Sequence, residues 1–341
     1  MLEDRTGVPP LPTRRTVLAL GLRLGGAAAV VASLAGCGIR LEDDAPRVPG
    51  LPTRKPVPGE TFLLTLRRHS TDLAAQAKGL GGSTKTVPAR LSVLHARQAA
   101  VLEAELVHLG VPQTVIDAPV ASPTPGATTS TTATPTGSSG SGTTTAAGPK
   151  GLAALAASES GDLGPAAVAA LAGVGPDTIA LAGSLLAQRA AAATLLGAPA
   201  TWPDPSWSEP SLAASYLEAT RAAAYAFEVV AAQSPTGAQR TLAASTLAAL
   251  QARQSEQEVL AGASATPPAL GYPLPFAVTN PAAARTLAVK VLTDLRAAVA
   301  RELGSTGGDR GPLGAVVQWL AETEVLASRW GVALAPFPGL T

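Results

Sequence analysis

The stretch GYPLPFAVTNPAAARTLAVKVL, residues 271–292, changes from a proline-rich connection to a helix at Asn280-Pro281. Asn280 has the side chain of a helix N-cap. Pro281 suits the first helical position, because its backbone angle is already helical and it has no N–H to leave unpaired. Apolar residues then recur at helical spacing. These features predict a helix over residues 281–303, entered through a long connection that begins at Gly262.

Apolar residues recur at helical spacing in other parts of the chain beyond residue 60 as well. Strand signals are missing, because no alternating run of β-branched and aromatic residues lasts more than a few positions. Gly175-Pro176-Asp177 opens one helix, while Gly197 and Gly331 close two others. We therefore predict eight helices, over residues 61–79, 87–109, 152–171, 177–196, 209–233, 238–261, 281–303 and 312–330.

The two halves of the chain look like copies of each other. LHARQ at residues 94–98 recurs as LQARQ at residues 250–254, which is 156 positions later. The helix ends at Gly197 and Gly331 lie 134 positions apart. The difference between these spacings matches the extra length of the connection between the second and third helices of the first half. This pattern predicts a duplication.

Four helices in each half predict an all-α fold of two four-helix bundles in tandem, over residues 61–200 and 208–341. The connection between the second and third helices is the longest in each half, which favours a ferritin-like topology. The first of these connections is rich in Ser, Thr, Pro and Gly and uncharged between Asp117 and Lys150. We expect residues 117–149 to be a disordered insertion, because they cannot bury enough apolar surface to offset the entropy of ordering.

Residues 1–36 have the layout of a lipoprotein signal peptide, with a basic region followed by an apolar run. The run ends in LAGC at residues 34–37, which fits the bacterial lipobox, and Cys37 is the only cysteine of the chain. We expect Cys37 to be acylated and to anchor the protein on the outer face of the cell membrane. Proline-rich residues 37–60 would then form a tether. A chance cysteine at the end of a signal anchor is the alternative.

The route of export is indicated by Arg14 and Arg15, which precede the apolar run. A pair of arginines in this position resembles the twin-arginine export motif. Paired arginines are also ordinary in the basic region of signal peptides, so the general export route stays open.

Composition excludes several classes of function. The net charge of the 341 residues is +1 and there is no long basic run, so nucleic acid is not an expected partner. Acylation of Cys37 leaves no thiol for a disulfide or a thiolate metal site. No Gly-rich phosphate loop is followed by Lys, and three histidines among scattered serines define no catalytic triad.

The second half contains three distinctive stretches: the opening one, AAAYAFEVV at residues 222–230 and WGVALAPFPGL at residues 330–340. On these stretches, residues 208–340 resemble the ferritin-like lipoproteins of actinobacteria, a family of uncharacterised function. The resemblance implies a lipid-anchored protein with a ferritin-like helical body. Relatives in this family tend to carry Glu at the position that is Thr220 in this sequence.

A ferritin-like body raises the question of a metal centre. Di-iron proteins of this class use Glu from each of two helices and Glu-x-x-His from each of the other two. The second half has no histidine, and helical phase places Thr220 at the centre of an inward face. Glu324 is the one acid expected to point inward there. We therefore expect no iron or manganese in this half, and a Thr220 hydroxyl bonded to the backbone one turn earlier.

Glu105-Leu106-Val107-His108 is the one literal Glu-x-x-His match, and it lies in the first half. Glu105 and Gln98 fall on the inward face of their helix. One interpretation is a buried hydrogen-bonded pair of Glu with Gln or Arg inside the bundle. The other is a mononuclear metal site formed by Glu105 and His108, with His69 as a further candidate.

Trp319 and Trp330 share a face of the last helix. They either seal the joint between the two bundles or form an exposed patch that binds a partner.

Two classes of function follow from these features. The first is a non-catalytic, lipid-anchored envelope protein that binds an unidentified envelope protein or a cell-wall component. The alternative is a metal-binding protein or metal-dependent oxidoreductase that holds iron or manganese near Glu105 and His108.

Overall fold

The structure is a computed structural model that describes residues 54–81, 86–119, 149–202 and 204–340. These residues contain ten α-helices and no β-strand, which confirms the all-α fold. The helices are α1 (Glu60–Gly79), α2 (Val87–His108), α3 (Gln113–Ile116), α4 (Pro149–Ser160), α5 (Pro165–Leu171), α6 (Pro176–Leu195), α7 (Pro210–Gln233), α8 (Ala238–Ala261), α9 (Pro281–Arg301) and α10 (Arg310–Arg329).

Several predicted features fall outside the described residues. They are the signal peptide over residues 1–36, Arg14, Arg15, the lipidation site Cys37, most of the tether and residues 120–148 of the insertion. These stay predictions.

The predicted helix over residues 152–171 is wrong as a single element. The chain breaks between α4 and α5, where Gly164 has a φ of 111° that a side chain would disfavour and Pro165 begins the next helix. The predicted helix over residues 281–303 also differs at its end, because α9 stops at Arg301 and continues as a 3-10 helix over Glu302–Thr306.

The helices pack in a pattern that joins both halves. α1 packs along α2, α7 packs along α8, and α6 packs against α10. One core cluster of buried side chains runs from Leu63 in α1 to Phe337 after α10. Residues Lys55–Thr341 accordingly form one compact unit. Two separable bundles stay a prediction.

α6 and α10 correspond closely, at the predicted spacing of 134 positions. Both helices have 20 residues and end in the same hydrogen-bonded motif. Ala198 N donates to Ala193 O at 2.8 Å, and Val332 N donates to Ala327 O at 3.0 Å. Gly197 and Gly331 supply the left-handed backbone that the motif requires, with φ of 93° and 91°.

The match between LHARQ and LQARQ does not place equivalent residues in equivalent surroundings. Arg97 is exposed, whereas Arg253 is buried. Gln98 is buried, whereas Gln254 is half-buried. Residues that are equivalent in the five-residue match therefore differ in burial, so the match does not support duplication. The equal lengths and similar ends of α6 and α10 do support it.

A C-terminal tail, residues 332–340, lies across both halves. Gln98 Nε2 in α2 donates to Pro336 O at 2.7 Å, and Ser184 Oγ in α6 donates to Pro338 O at 2.7 Å. Phe337 is buried in the core between these two contacts. The tail thus connects the end of the second half to helices of the first.

Among the described residues, α6 is the helix that is long and apolar enough to cross a membrane by length and composition. In this fold 78 % of its most apolar window is buried, as in the core helix of a folded domain.

Candidate functional site: the buried polar interior

The interior of the first half contains a hydrogen-bonded cluster of polar side chains. His95 and Gln98 lie one turn apart on α2, Glu159 lies at the end of α4, and Gln188 lies in α6; all four are fully buried. His95 Nε2 is 2.6 Å from Glu159 Oε1, and His95 Nδ1 is 2.8 Å from Gln98 Oε1. Gln98 Nε2 also donates to Gln188 Oε1 at 2.8 Å.

The hydrogen bonds of Gln98 determine the proton position on His95. Gln98 Nε2 donates to two oxygens, so its Oε1 faces the imidazole as an acceptor and His95 Nδ1 carries a hydrogen. The His95–Glu159 contact then shares a single proton, held on the ring as imidazolium or on the carboxyl group. Either form leaves no lone pair of His95 free for a metal ion.

Arg189 borders this cluster on α6 and is 1 % exposed. Its Nη2 donates to the carbonyl oxygens of Ser158 and Glu159, at 3.0 and 3.3 Å. Burial lowers the pKa of Arg189, while the charges of Glu159 and Asp162 act in the opposite direction. The guanidinium places positive charge beside the carboxylate of Glu159, with Arg189 Nε 3.9 Å from Glu159 Oε2.

The cluster reaches the surface at a pocket of about 300 Å³ that Arg189 lines together with His69 and Asp162. His69 Nδ1 lies 2.7 Å from Asp162 Oδ2, and Asp162 Oδ2 lies 3.6 Å from Arg189 Nη2. His69 therefore lies beside an acid of the α4–α5 connection, in a different environment from Glu105.

The predicted metal candidates Glu105 and His108 do not form a ligand set. Glu105 is half-buried and accepts a hydrogen bond from Thr178 Oγ1 at 3.0 Å. His108 is exposed at the last residue of α2. In the described residues no group of three or more His, Cys, Asp or Glu side chains is arranged to hold a metal ion. The partner of Glu105 is thus Thr178, and the expected Glu–Gln or Glu–Arg pair is wrong.

The interior of the second half is organised around Glu324, which is 1 % exposed, as its helical phase predicts. Arg296 Nη1 donates to Glu324 Oε2 at 2.8 Å, and Ala335 N in the tail donates to Glu324 Oε1 at 2.8 Å. Both oxygens of the carboxylate are therefore used. The acid joins α9 to α10 and the tail to both.

Thr220 is fully buried, as predicted, but its expected backbone hydrogen bond is wrong. Thr220 Oγ1 has no hydrogen-bond partner within the described part of the chain, and the same holds for both polar atoms of the Gln257 side chain. An unpaired buried hydroxyl is a cost to stability rather than a contribution.

These residues do not fit a di-iron centre. Such a centre needs several carboxylates and imidazoles that converge with free lone pairs. Glu159 instead lies beside His95 and Arg189, and Glu324 lies beside Arg296. The positive charge of each guanidinium disfavours a metal cation at the neighbouring carboxylate.

Trp319 in α10 and Trp330 at its C-cap are both buried, so an exposed aromatic patch at these residues is wrong. Trp319 stacks on Trp207, with ring centroids 5.4 Å apart, and donates to Glu256 Oε2 at 3.1 Å. Trp330 donates to Thr246 Oγ1 at 3.1 Å. Glu256 and Thr246 lie in the second half, and Trp207 lies in the connection directly before it.

Residues 213–341 match a family model described as "Domain of unknown function (DUF4439)". The second half contains a DUF4439 domain. The DUF4439 domain begins in α7 and includes α8, α9, α10 and the tail, and therefore the Arg296–Glu324 pair. Helices α1 to α6, with the His95–Glu159 cluster, precede it. Comparisons with curated proteins and with solved structures find no match.

Sequence reasoning missed the His95–Glu159 cluster. A signal was present, because Leu91, His95, Gln98 and Leu102 follow the spacing of one helical face. Nothing local indicates Glu159 as the partner, since it lies 64 positions away along the chain.

Proposed function

We propose that this protein is a lipid-anchored, non-catalytic component of the cell envelope whose helical body binds an envelope protein or a cell-wall component. The body would stand on the outer face of the membrane, attached through Cys37 and a proline-rich tether. Its helices would form two degenerate ferritin-like bundles related by duplication, which the matched lengths and ends of α6 and α10 support.

The observation that carries the non-catalytic assignment is the use of Glu324. In a ferritin-like protein the inward carboxylates bind metal, whereas both oxygens of this carboxylate accept hydrogen bonds from Arg296 and the tail. Thr220, where relatives tend to carry Glu, provides no carboxylate at all. Such a bundle would hold the surface residues that bind a partner in fixed positions.

Metal analysis tests the proposal. The full chain is purified from membranes without chelators, exposed to excess iron or manganese, and desalted before elemental analysis. We expect far less than one metal ion per chain. Stoichiometric iron or manganese that is lost in Glu105→Ala or His108→Ala, but kept in the control Glu103→Ala, would establish the metal-dependent alternative instead.

A further inference from the structure

A pocket of about 320 Å³ lies where the two halves meet. We call it the seam pocket and define it by Trp202, Arg253, Gln318, Glu322 and Arg329. α6 and the connection after it form one side, and α8 and α10 form the other. Its volume is at the lower end of the range for small-molecule sites, about 300–1,000 Å³.

The polar side of the seam pocket is a chain of three side chains. Arg253 is 3 % exposed and donates through Nη2 to Glu322 Oε2 at 3.0 Å. Gln318 Nε2 donates to the other oxygen, Glu322 Oε1, at 2.9 Å. The acid is therefore neutralised and both of its oxygens are occupied, so the pocket has little capacity to bind a cation.

The seam pocket contains an arginine that has no acidic partner among the described residues. Arg329 is exposed and makes no ion pair or hydrogen bond with any described residue. Arg253 Nε is buried and has no acceptor among the described residues. Two arginines and one glutamate line the pocket, while Glu256 interacts with Arg253 and Glu322 without lining it. The exposed guanidinium of Arg329 is therefore the group available to an anion, and a guanidinium binds a carboxylate with two parallel hydrogen bonds.

The remaining lining of the seam pocket is mostly apolar. Trp202 is half-buried beside Pro199 and Ala200, and α10 adds Val325 and Leu326. An indole against small apolar side chains offers a surface on which the apolar face of a sugar ring or another flat ring can pack.

We propose that the seam pocket binds a carboxylate-bearing amino sugar, with the ring against Trp202 and the carboxylate on Arg329. This inference rests on the proposed function, because it identifies the wall component as a glycan unit that carries an acid.

Two sugars test the ligand chemistry directly. N-acetylmuramic acid and N-acetylglucosamine share a ring and differ in a carboxylate-bearing ether group. We expect the full chain, in detergent, to bind the acid with about tenfold or greater preference, from the strength of a charge-assisted hydrogen bond. Titration with intrinsic tryptophan fluorescence and saturation-transfer NMR measures both sugars. Equal binding of the two sugars, or no binding of either, would overturn the proposal.

Two variants test the site. Arg329→Gln should remove the preference for the acid, while Arg301→Gln, an exposed arginine at the end of α9 and away from the pocket, should keep it. Both positions are exposed, and thermal unfolding confirms that each variant is folded. If Arg329→Gln kept the wild-type preference, the assigned site would be wrong. Metal content reports separately on the proposed function, so a metal-free chain that shows no preference between the sugars would refute the pocket alone.

Discussion

Four buried arginines in the described part of the chain characterise this protein at the scale of single residues. Arg189, Arg221, Arg253 and Arg296 are 1 %, 6 %, 3 % and 7 % exposed, and Arg221 lies 2.9 Å from Glu258. Each has a carboxylate beside it from a different helix, at distances from 3.9 Å for Arg189 down to 2.8 Å for Arg296. The cost of removing both charges from water offsets most of the attraction between them, so an intact pair adds little to the free energy of unfolding. Removal of one partner lowers that free energy strongly, because the other charge stays buried and unpaired.

Glu324→Ala is expected to lower the free energy of unfolding by about 3–5 kcal/mol, because it leaves the buried guanidinium of Arg296 without its partner. The double variant Glu324→Leu with Arg296→Leu should recover most of this loss, since no buried charge remains. Denaturant unfolding measures both. Asp294→Ala is the matched control, because Asp294 is exposed in a surface pair with Lys290, and it should cost no more than about 1 kcal/mol. A loss for Glu324→Ala as small as the control would contradict this account.

Glu256 gives a pH dependence whose sign follows from its burial. Burial raises the pKa of Glu256 above its ordinary value of 4.5, against the lowering effect of the hydrogen bond from Trp319. The folded state therefore prefers the protonated acid, and ionisation at neutral pH costs stability. Glu256→Gln keeps an acceptor for Trp319 and should unfold at a higher temperature than the wild type at pH 7. The difference should vanish below about pH 4.5.

Glu103→Gln is a control that should change the unfolding temperature in the opposite direction. The hydrogen bond from Arg67 is the main reason that the pKa of Glu103 is lowered. The ionised acid thus contributes stability above pH 4.5 that is lost as the pH falls. Glu103→Gln should unfold at a lower temperature than the wild type at pH 7. Shifts of the same sign in both variants would show that the burial of Glu256 is not the cause.

At the scale of elements, the tail over residues 332–340 forms hydrogen bonds with side chains of both halves. It carries acceptors for Gln98 and Ser184 in the first half and a donor for Glu324 in the second. A buried polar group that loses its partner costs about 1–3 kcal/mol. The tail therefore couples the halves through hydrogen bonds as well as through Phe337.

A chain that ends at Gly331 is expected to lose several kcal/mol of unfolding free energy, because three buried groups each lose one hydrogen bond and the site of Phe337 becomes exposed. Thermal unfolding and hydrogen exchange measure the effect, and exchange should increase in α2 and α6 as well as in α10. Phe337→Leu is the control, since it keeps the tail and most of its apolar contact. Increased exchange confined to α10 would show that the tail does not couple the halves.

At the scale of the whole molecule, attachment to the membrane is predicted to depend on one atom, Sγ of Cys37. Cys37→Ser cannot accept a diacylglyceryl group through sulfur, so we expect an uncleaved precursor without an acyl chain. Metabolic labelling with a fatty acid and the mass of the membrane-associated chain measure the outcome. A variant that is labelled and matures like the wild type would exclude lipidation at Cys37.

The helices themselves could be predicted from the sequence because helix formation is local. Caps and apolar spacing act within a few residues, so α8 begins and ends at the predicted residues and the other long helices differ by at most a few positions. The same periodicity identified Glu324 and Thr220 as inward. The break between α4 and α5 has a local signal as well, in Gly164-Pro165.

Tertiary structure alone decided which buried polar groups meet. His95 and Glu159 are 64 positions apart, and Gln98 and Pro336 are 238 apart, so no local pattern relates them. Helical phase shows that a side chain points inward, but its partner depends on which helices pack together and at what register. The sequence thus determined the elements and their inward faces, because backbone hydrogen bonds connect near neighbours. The pairing of buried charges, including the use of both carboxylate oxygens of Glu324 and the contact of Glu159 with His95, was decided by contacts between distant parts of the chain.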